Sequence, residues 1–490
     1  MSPPRLTVAV VGHTNTGKTS LLRTLLRDAS FGEVSDQPAT TRDVRGTVLL
    51  VDGQPLVELY DTPGLEDSIG LLEHLESLRI TQREDPVQIV ERFLASPEAG
   101  SRGRFAQEAK AVRQLLRSDV GLYVIDARDR PLPKHRDELA VLSMCARPIV
   151  PVLNFIAKPG ANTSSWREQL SRLNLHATAE FDTVVVDEHS EQRLFEKMQT
   201  LLDDFRPTLD ALIADRRIQR ERLIASSARL IGDLLIDAAA ATLTVPTDDE
   251  RQAREAMERL RSLIRRREQQ CVEALLELHR FHPEDCDPDA LPLEDGSWGL
   301  DLFSPDAMMK FGVRTSSGAA AGATVGAIVD LSLLGASLGA GTATGAAIGA
   351  ALSAGHSHGR RLLDRLRGQT ELRCDTATLT LLEARQIDLV RALLTRGHAA
   401  QEPLRLDGTA ETGSSSRHGT LGLSGSLARA RAQPNWSSVT REASLATGSG
   451  TPGLSPFALS GREAALDALV EVIRPRIQEP HTASAHRRRS

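Results

Sequence analysis

Residues 6–20 read LTVAVVGHTNTGKTS, and this stretch decides the fold of the first part of the chain. LTVAVV has the apolar run of a buried strand, and LLRTLLRD from Leu21 has the pattern of a helix. Between them, Gly12-x4-Gly17-Lys18-Thr19 matches a phosphate loop in the strand–loop–helix context that such a loop requires. Glycines let backbone amides turn around phosphate oxygens, and the helix N-terminus adds partial positive charge. The expected phosphate-binding set is Gly12, His13, Thr14, Asn15, Thr16, Gly17, Lys18, Thr19 and Ser20. Lys18 would reach the β- and γ-phosphates and the Thr19 hydroxyl would bind Mg²⁺. Of 59 basic residues only six are lysine, so a lysine at this position carries weight.

A second motif, Asp61-Thr62-Pro63-Gly64, follows two strand-like runs joined by an Asp52-Gly53 hairpin turn. Asp61 at the strand end would hold Mg²⁺ through water, and the Gly64 amide would meet a γ-phosphate. Between the motifs lies ATTRD, residues 39–43, where Thr41 is the expected switch I threonine that closes over the metal. Lys18, Thr41 and Gly64 thus form the expected catalytic set, with Thr19, Thr41 and Asp61 around Mg²⁺. The next residue, Leu65, cannot orient an attacking water as a glutamine would.

Taken together, GxxNxGK[ST], TTRD and DTPG resemble the GTPases of the TrmE, Era, EngA and septin-like group, over roughly residues 5–190. The chain is more closely similar to a bacterial family that joins such a G domain to a helical C-terminal region of unknown function. The resemblance implies an α/β P-loop NTPase, with a mixed, mostly parallel sheet and helices on both faces. It also implies GTP as ligand, Mg²⁺ as cofactor and hydrolysis to the diphosphate. In the better-known relatives the loop asparagine, here Asn15, coordinates K⁺ beside the phosphates. An apolar residue at the Leu65 position is common in that group. It implies slow intrinsic turnover, or help from a protein partner or a second G domain.

The base-reading end departs from this pattern. RPIVPVLNFIAKP, residues 147–159, stands where Asn-Lys-x-Asp is expected, and only Asn154 remains. Ala157 cannot accept hydrogen bonds from guanine with its side chain, which removes on the order of 1.5–3 kcal/mol of discrimination. Phe155 offers an aromatic face for stacking. A strand read at FDTVVVD, residues 181–187, leads into EHSEQR rather than the expected Ser-Ala-Lys. The long stretch after DTPG predicts either an extra helical insertion at about residues 84–104 or an enlarged surface loop.

Composition bounds the remainder. A net charge of −6 gives no pull toward nucleic acid, and no RNA-binding signature is present. Four scattered cysteines without a CxxC pair fit neither a zinc site nor a disulfide framework. The N-terminus has no apolar signal core, so the expected location is the cytoplasm. Residues 1–205 are assigned to the G domain. Residues 206–311 read as helical, with a second long helix opened by a capping box at Thr247–Glu250. In residues 312–359, eleven of the chain's 36 glycines recur largely at four-residue spacing, which predicts a glycine-zipper hairpin. Basic residues flank it, so three readings stay open: peripheral contact with the inner membrane, insertion as a hairpin, and packing against other helices without a constitutive span. Residues 360–406 read as helical, 407–459 as a flexible linker and 460–490 as a short helix, 462–473, with a disordered tail. Two functions follow: a slow, Mg²⁺-dependent GTPase switch, or a non-hydrolysing or base-unselective nucleotide-binding scaffold for protein or membrane association.

Overall fold

The computed structural model describes residues 3–27, 43–187, 189–247, 249–281, 293–294, 297–298, 301–310, 369–396, 425–447 and 456–479. Thr41 and the glycine-rich stretch 312–359 lie outside them. The chain forms two compact units, Met1–Glu221 with Leu394–Glu402, and Arg222–Leu393 with Pro403–Ser490.

The first unit is built on a six-stranded sheet of order β2-β3-β1-β4-β5-β6. Its strands are β1 (Leu6–Val11), β2 (Arg45–Val51), β3 (Gln54–Asp61), β4 (Val120–Asp126), β5 (Ile149–Asn154) and β6 (Ala179–Glu180). Only the β2–β3 hairpin is antiparallel; β1 pairs in parallel with β3 and β4, and β5 with β4 and β6. Asp52 and Gly53 both have positive φ, 48° and 76°, as a two-residue turn matched to strand twist demands. The parallel strands are apolar on both faces because helices cover both. One face carries α2 (Ser68–Ser77), α3 (Pro86–Leu94), α4 (Ala106–Arg117), α5 (Pro133–Ser143) and α6 (Thr163–Arg172). The other carries α1 (Lys18–Leu26), α7 (Ser190–Gln199) and the first turns of α8 (Arg206–Ala240).

The stretch after DTPG is a packed helical insertion, not a loose loop. Asp85 caps α3 by accepting from the Val87 amide (3.0 Å), and Pro86 occupies the first helical position, where its missing N–H costs nothing. Ile89, Val90 and Phe93 are buried against Leu71 and Leu75 of α2 and Phe105.

The strand read at 181–187 is not formed. The strand is Ala179–Glu180, and the chain then bends because Asp182 captures the amides of Val184 (2.9 Å) and Val185 (3.0 Å). Val185 instead bridges to Arg396, and the Val186 amide donates to the Thr395 carbonyl (2.8 Å). The first unit therefore runs past residue 205 and includes a segment from far along the chain.

The second unit is mostly helical. It holds the later part of α8, α9 (Glu250–Leu278), the short α10 (Pro305–Lys310), α11 (Thr376–Thr395) up to Leu393, α12 (Gly425–Arg431), α13 (Ser438–Thr447) and α14 (Pro456–Gln478). A strand, β7 (Thr242–Pro246), breaks the expected helical run and pairs antiparallel with a strand at Gln369–Arg373, where a helix was expected. Thr247 therefore faces Thr370 across the ribbon (3.1 Å), and Asp249 caps α9 through the amides of Arg251 and Gln252. The expected linker 407–459 contains α12, a 3₁₀ turn at Pro434–Trp436 and α13. These pack because Trp436 is buried, and Ser437 and Ser438 hydrogen-bond to Asp237. The short helix read at 462–473 is the middle of α14, whose Leu469, Ile473 and Ile477 continue one buried face. Among the described residues no helix is long and apolar enough to cross a membrane.

Candidate functional site at the phosphate loop

Strand β1 carries the chain into the loop at Gly12, whose φ is 142°. A Cβ there would stand 2.6 Å from the Val124 carbonyl oxygen, so only glycine lets the loop lie this close to β4. Asn15 (φ 63°) and Gly17 (φ 89°) take left-handed backbone, and Gly17 begins α1. Alternation of this kind turns successive N–H groups toward one concavity. The Lys18 ammonium arches back over the loop and donates to the carbonyls of Gly12 (3.2 Å) and His13 (2.7 Å). Burial lowers its pKa to about 8, against the opposing pull of Asp61, Glu138 and Glu66.

Register brings the second motif alongside. β3 pairs Asp61 with Val10 of β1, and Thr62 donates its hydroxyl to the Val10 carbonyl (2.7 Å). The Thr19 hydroxyl then donates to Asp61 Oδ2 at 2.6 Å, both residues being buried. One hydroxyl and one carboxylate at that distance fit Mg²⁺, which takes few protein oxygens and completes its shell with water and substrate phosphate. Gly64 lies on Thr14: a Cβ on it would come within 2.4 Å of the Thr14 hydroxyl oxygen and 2.8 Å of the Thr14 backbone.

The chain beyond Gly64 is pinned by its backbone. The Leu65 amide donates to the Gly12 carbonyl (3.2 Å), while its side chain is fully buried in the core with α2 and α4. Glu108 of α4 accepts from the amides of Glu66 (3.2 Å) and Asp67 (3.0 Å). Asp67 caps α2 through the Gly70 amide and pairs with Arg104 at 2.6 Å.

His13 links this segment to α5. Its Nδ1 lies 2.7 Å from the Leu65 carbonyl and 2.8 Å from Glu138 Oε1, and its Nε2 lies 3.0 Å from Lys134 Nζ. An ammonium can only donate, so Nε2 accepts and the proton sits on Nδ1, which donates to the Leu65 carbonyl while Glu138 Oε1 stands close by without a hydrogen bond. Glu138 has no solvent exposure and accepts from the Tyr123 hydroxyl (2.6 Å). Burial, then the Glu138 carboxylate, pushes the Tyr123 phenol well above its ordinary pKa. Burial lowers the pKa of neighbouring His135. Sequence reading missed Lys134, Glu138 and Tyr123. The available signal was Glu138 on the apolar face of α5, between His135 and Leu139 and Leu142.

At the base-side end Asn154 is buried and fully engaged. Its Nδ2 donates to the Thr16 carbonyl (3.0 Å), and its Oδ1 accepts from the Phe155 amide and from the amide and hydroxyl of Thr183. It ties the phosphate loop to two further loops. Phe155 (φ 57°) rests on Gly17, where an added Cβ would be 3.2 Å from its ring. The Arg128 guanidinium covers one ring face at 4.1 Å and is itself held by Asp126. Ala157 is exposed, and its amide donates to Asp182 Oδ2 (2.8 Å). A carboxylate is therefore present near position 157, supplied from the β6 side.

The structure thus brings Gly12–Ser20, Asp61, Gly64, Asn154 and Phe155 around one loop.

Comparison with known protein families places two matches along the chain. A model described as 50S ribosome-binding GTPase matches residues 7–155, and one described as a domain of unknown function, DUF3482, matches residues 167–449. GTPase Der of Xylella fastidiosa is 34% identical over 151 residues, 30% of this chain and 25% of that protein. The tRNA modification GTPase MnmE of Parvibaculum lavamentivorans is 36% identical over 121 residues, 24% of this chain and 27% of that protein. The chain thus spans about a quarter of the length of these curated relatives. A crystal structure of Era with MgGDPNP and a 16S ribosomal RNA fragment is 20% identical, covering 41% of this chain and 57% of that one, with a TM-score of 0.28.

Proposed function

For a chain that belongs to the DUF3482 family and carries a P-loop G domain of the type found in Der and MnmE, we propose a Mg²⁺-dependent GTPase that works as a nucleotide switch. The observation that carries this reading is the 2.6 Å contact of Thr19 with Asp61 beside a loop that holds Lys18 and touches Gly64 through Thr14. Lys18 would neutralise the β- and γ-phosphates, Thr19 and Asp61 would hold Mg²⁺, and the metal would supply further charge neutralisation. Thr41 is the proposed switch I threonine, and the Gly64 amide would meet the γ-phosphate. Asn15 is the K⁺ ligand of this proposal, and hydrolysis equally fast in Na⁺ and K⁺ would remove that part of it.

With Leu65 buried in the core, no side chain at that position orients water, so intrinsic turnover is slow. The proposed stimulus is a protein partner or a second G domain. The proposed location is the cytoplasm, with residues 312–359 in contact with the inner membrane; glycine spacing and basic flanks support this, and cell fractionation in both nucleotide states tests it.

A second reading, a base-unselective nucleotide-binding scaffold, is favoured by Ala157 and by the capture of its amide by Asp182. Steady-state phosphate release with GTP and Mg²⁺, with Lys18→Ala as control, separates the two. Release that is no faster than that of the Lys18 variant leaves the scaffold.

A further inference from the structure

We infer that His13 and Glu138 are positioning residues that hold the Leu65 backbone, next to Gly64, against the phosphate loop for reaction. This rests on the GTPase reading above and adds to it two residues that the expected nucleotide and metal contacts do not use for this purpose.

Leu65 contributes no polar side chain, so whatever this segment does at a γ-phosphate falls to its backbone. That backbone is tied at both ends of one residue: the amide to the Gly12 carbonyl (3.2 Å), the carbonyl to His13 Nδ1–H (2.7 Å). The two bonds hold the two peptide groups that flank the Leu65 Cα, and so anchor the chain immediately after Gly64. The His13 ring is held at both nitrogens, with the Glu138 carboxylate beside it. Lys134 donates to Nε2, which sets the tautomer; Glu138 Oε1 lies 2.8 Å from Nδ1; Tyr123 orients Glu138 through its other oxygen. Lys18 also feels the Glu138 charge. Helix α5, which supplies Lys134 and Glu138, packs on α2, and Ser68 of α2 donates to the Lys134 carbonyl (3.1 Å). The same helix therefore supports both the start of the segment and the helix into which it runs.

A satisfied core histidine is the plain competing account. It predicts that removing His13 lowers stability and every nucleotide affinity together. Positioning predicts a split, because a diphosphate does not reach Gly64 and a triphosphate does.

The test uses the full chain and the variants His13→Ala, His13→Asn and Glu138→Gln. Three quantities are measured: kcat for GTP, affinities for GDP and a non-hydrolysable GTP analogue, and hydrogen exchange of residues 63–70 without nucleotide. His13→Ala is expected to lower kcat by about tenfold, the worth of one positioning hydrogen bond. It should weaken the analogue more than GDP and speed exchange at 63–70. His13→Asn, which keeps a donor near the Nδ1 position, should recover much of kcat. Glu138→Gln, which removes the carboxylate charge 2.8 Å from Nδ1, should resemble His13→Ala. Unchanged kcat in a folded His13→Ala, or a parallel fall of kcat, GDP affinity and melting temperature, overturns the inference. If the wild type binds no nucleotide, the GTPase reading falls, and the exchange data alone decide the clasp: unchanged exchange removes it.

Discussion

Thr19 and Asp61, 42 positions apart, meet through a hydrogen bond of 2.6 Å at the junction of α1 and β3. The contact forms because β1 and β3 pair in parallel with Val10 opposite Asp61, so both strands end beside the loop. Either Thr19→Ala or Asp61→Ala should lower triphosphate affinity by about tenfold or more in Mg²⁺ and have little effect in EDTA. Titration calorimetry with and without the metal reads this directly. Equal losses in EDTA would show that the pair serves the fold alone.

Lys18 should make triphosphate binding proton-linked. Burial lowers its pKa to about 8, from an ordinary 10.5. An arriving polyanion favours the ammonium and raises that pKa again, so binding above about pH 8 should take up a proton. Calorimetry at pH 8.5 in buffers of different ionisation enthalpy should show uptake, absent in Lys18→Met. The same shift acts on stability. The folded protein binds fewer protons than the unfolded chain between about 8 and 10.5, so this group's contribution rises with pH across that window.

Asn154 holds three loops at once, and its loss cannot be absorbed locally. Asn154→Ala strands the Thr16 carbonyl and the Thr183 amide in a buried site, at a cost of about 3 kcal/mol. Urea unfolding of the nucleotide-free protein should show it. Affinity for GTP should fall too, because Thr16 belongs to the phosphate loop.

Selectivity at the base should respond to position 157. Ala157→Asp places a second carboxylate near Asp182, whose Oδ2 already accepts from the amide of residue 157. Competition between GTP and ATP should move toward GTP by about tenfold, a charge-assisted hydrogen bond's worth. An unchanged ratio would mean that residue 157 does not face the base.

In the second unit, Glu268 sits in the core with Arg385 at 3.5 Å and Gln386 within hydrogen-bonding distance. Burial raises its pKa to about 7, with Asp301 adding to the rise and Arg385 and Gln386 opposing it. A carboxyl raised on folding stabilises most below its unfolded value of 4.5 and loses that contribution as pH rises to about 7. The loss is on the order of 3 kcal/mol. Glu268→Gln should flatten the pH dependence of chemical denaturation between these values.

The phosphate end was legible because its chemistry is local. A glycine loop between strand and helix announces itself within nine residues, and Asp61 follows a hairpin whose turn residues name it. The His13–Glu138–Tyr123 cluster was not legible, since its members come from three elements and each alone looks ordinary. Glu138 looks like one charge on a helix until β4 places Tyr123 beneath it. At the base end the sequence showed that Ala157 cannot accept a hydrogen bond. It gave no sign that Asp182 would reach the same place from β6, because an aspartate after a strand more often caps its own turn, as Asp182 also does. The expected linker failed for a related reason. Short helices rich in Ser, Ala and Arg have little periodicity of their own and form where buried Trp436 and Asp237 hold them.

The bond from Val186 to Thr395 bears on where this molecule can be cut. The partners stand 209 positions apart (395 − 186), yet both belong to one folding unit. Ending the chain after residue 205 would strip the loop beside Asn154 of a neighbour and leave the Val186 amide to water. The G domain here is not a detachable cassette. Its modularity is spatial and not linear, and a truncated form would report on a base-side loop that has lost its backbone partners at Thr395 and Arg396.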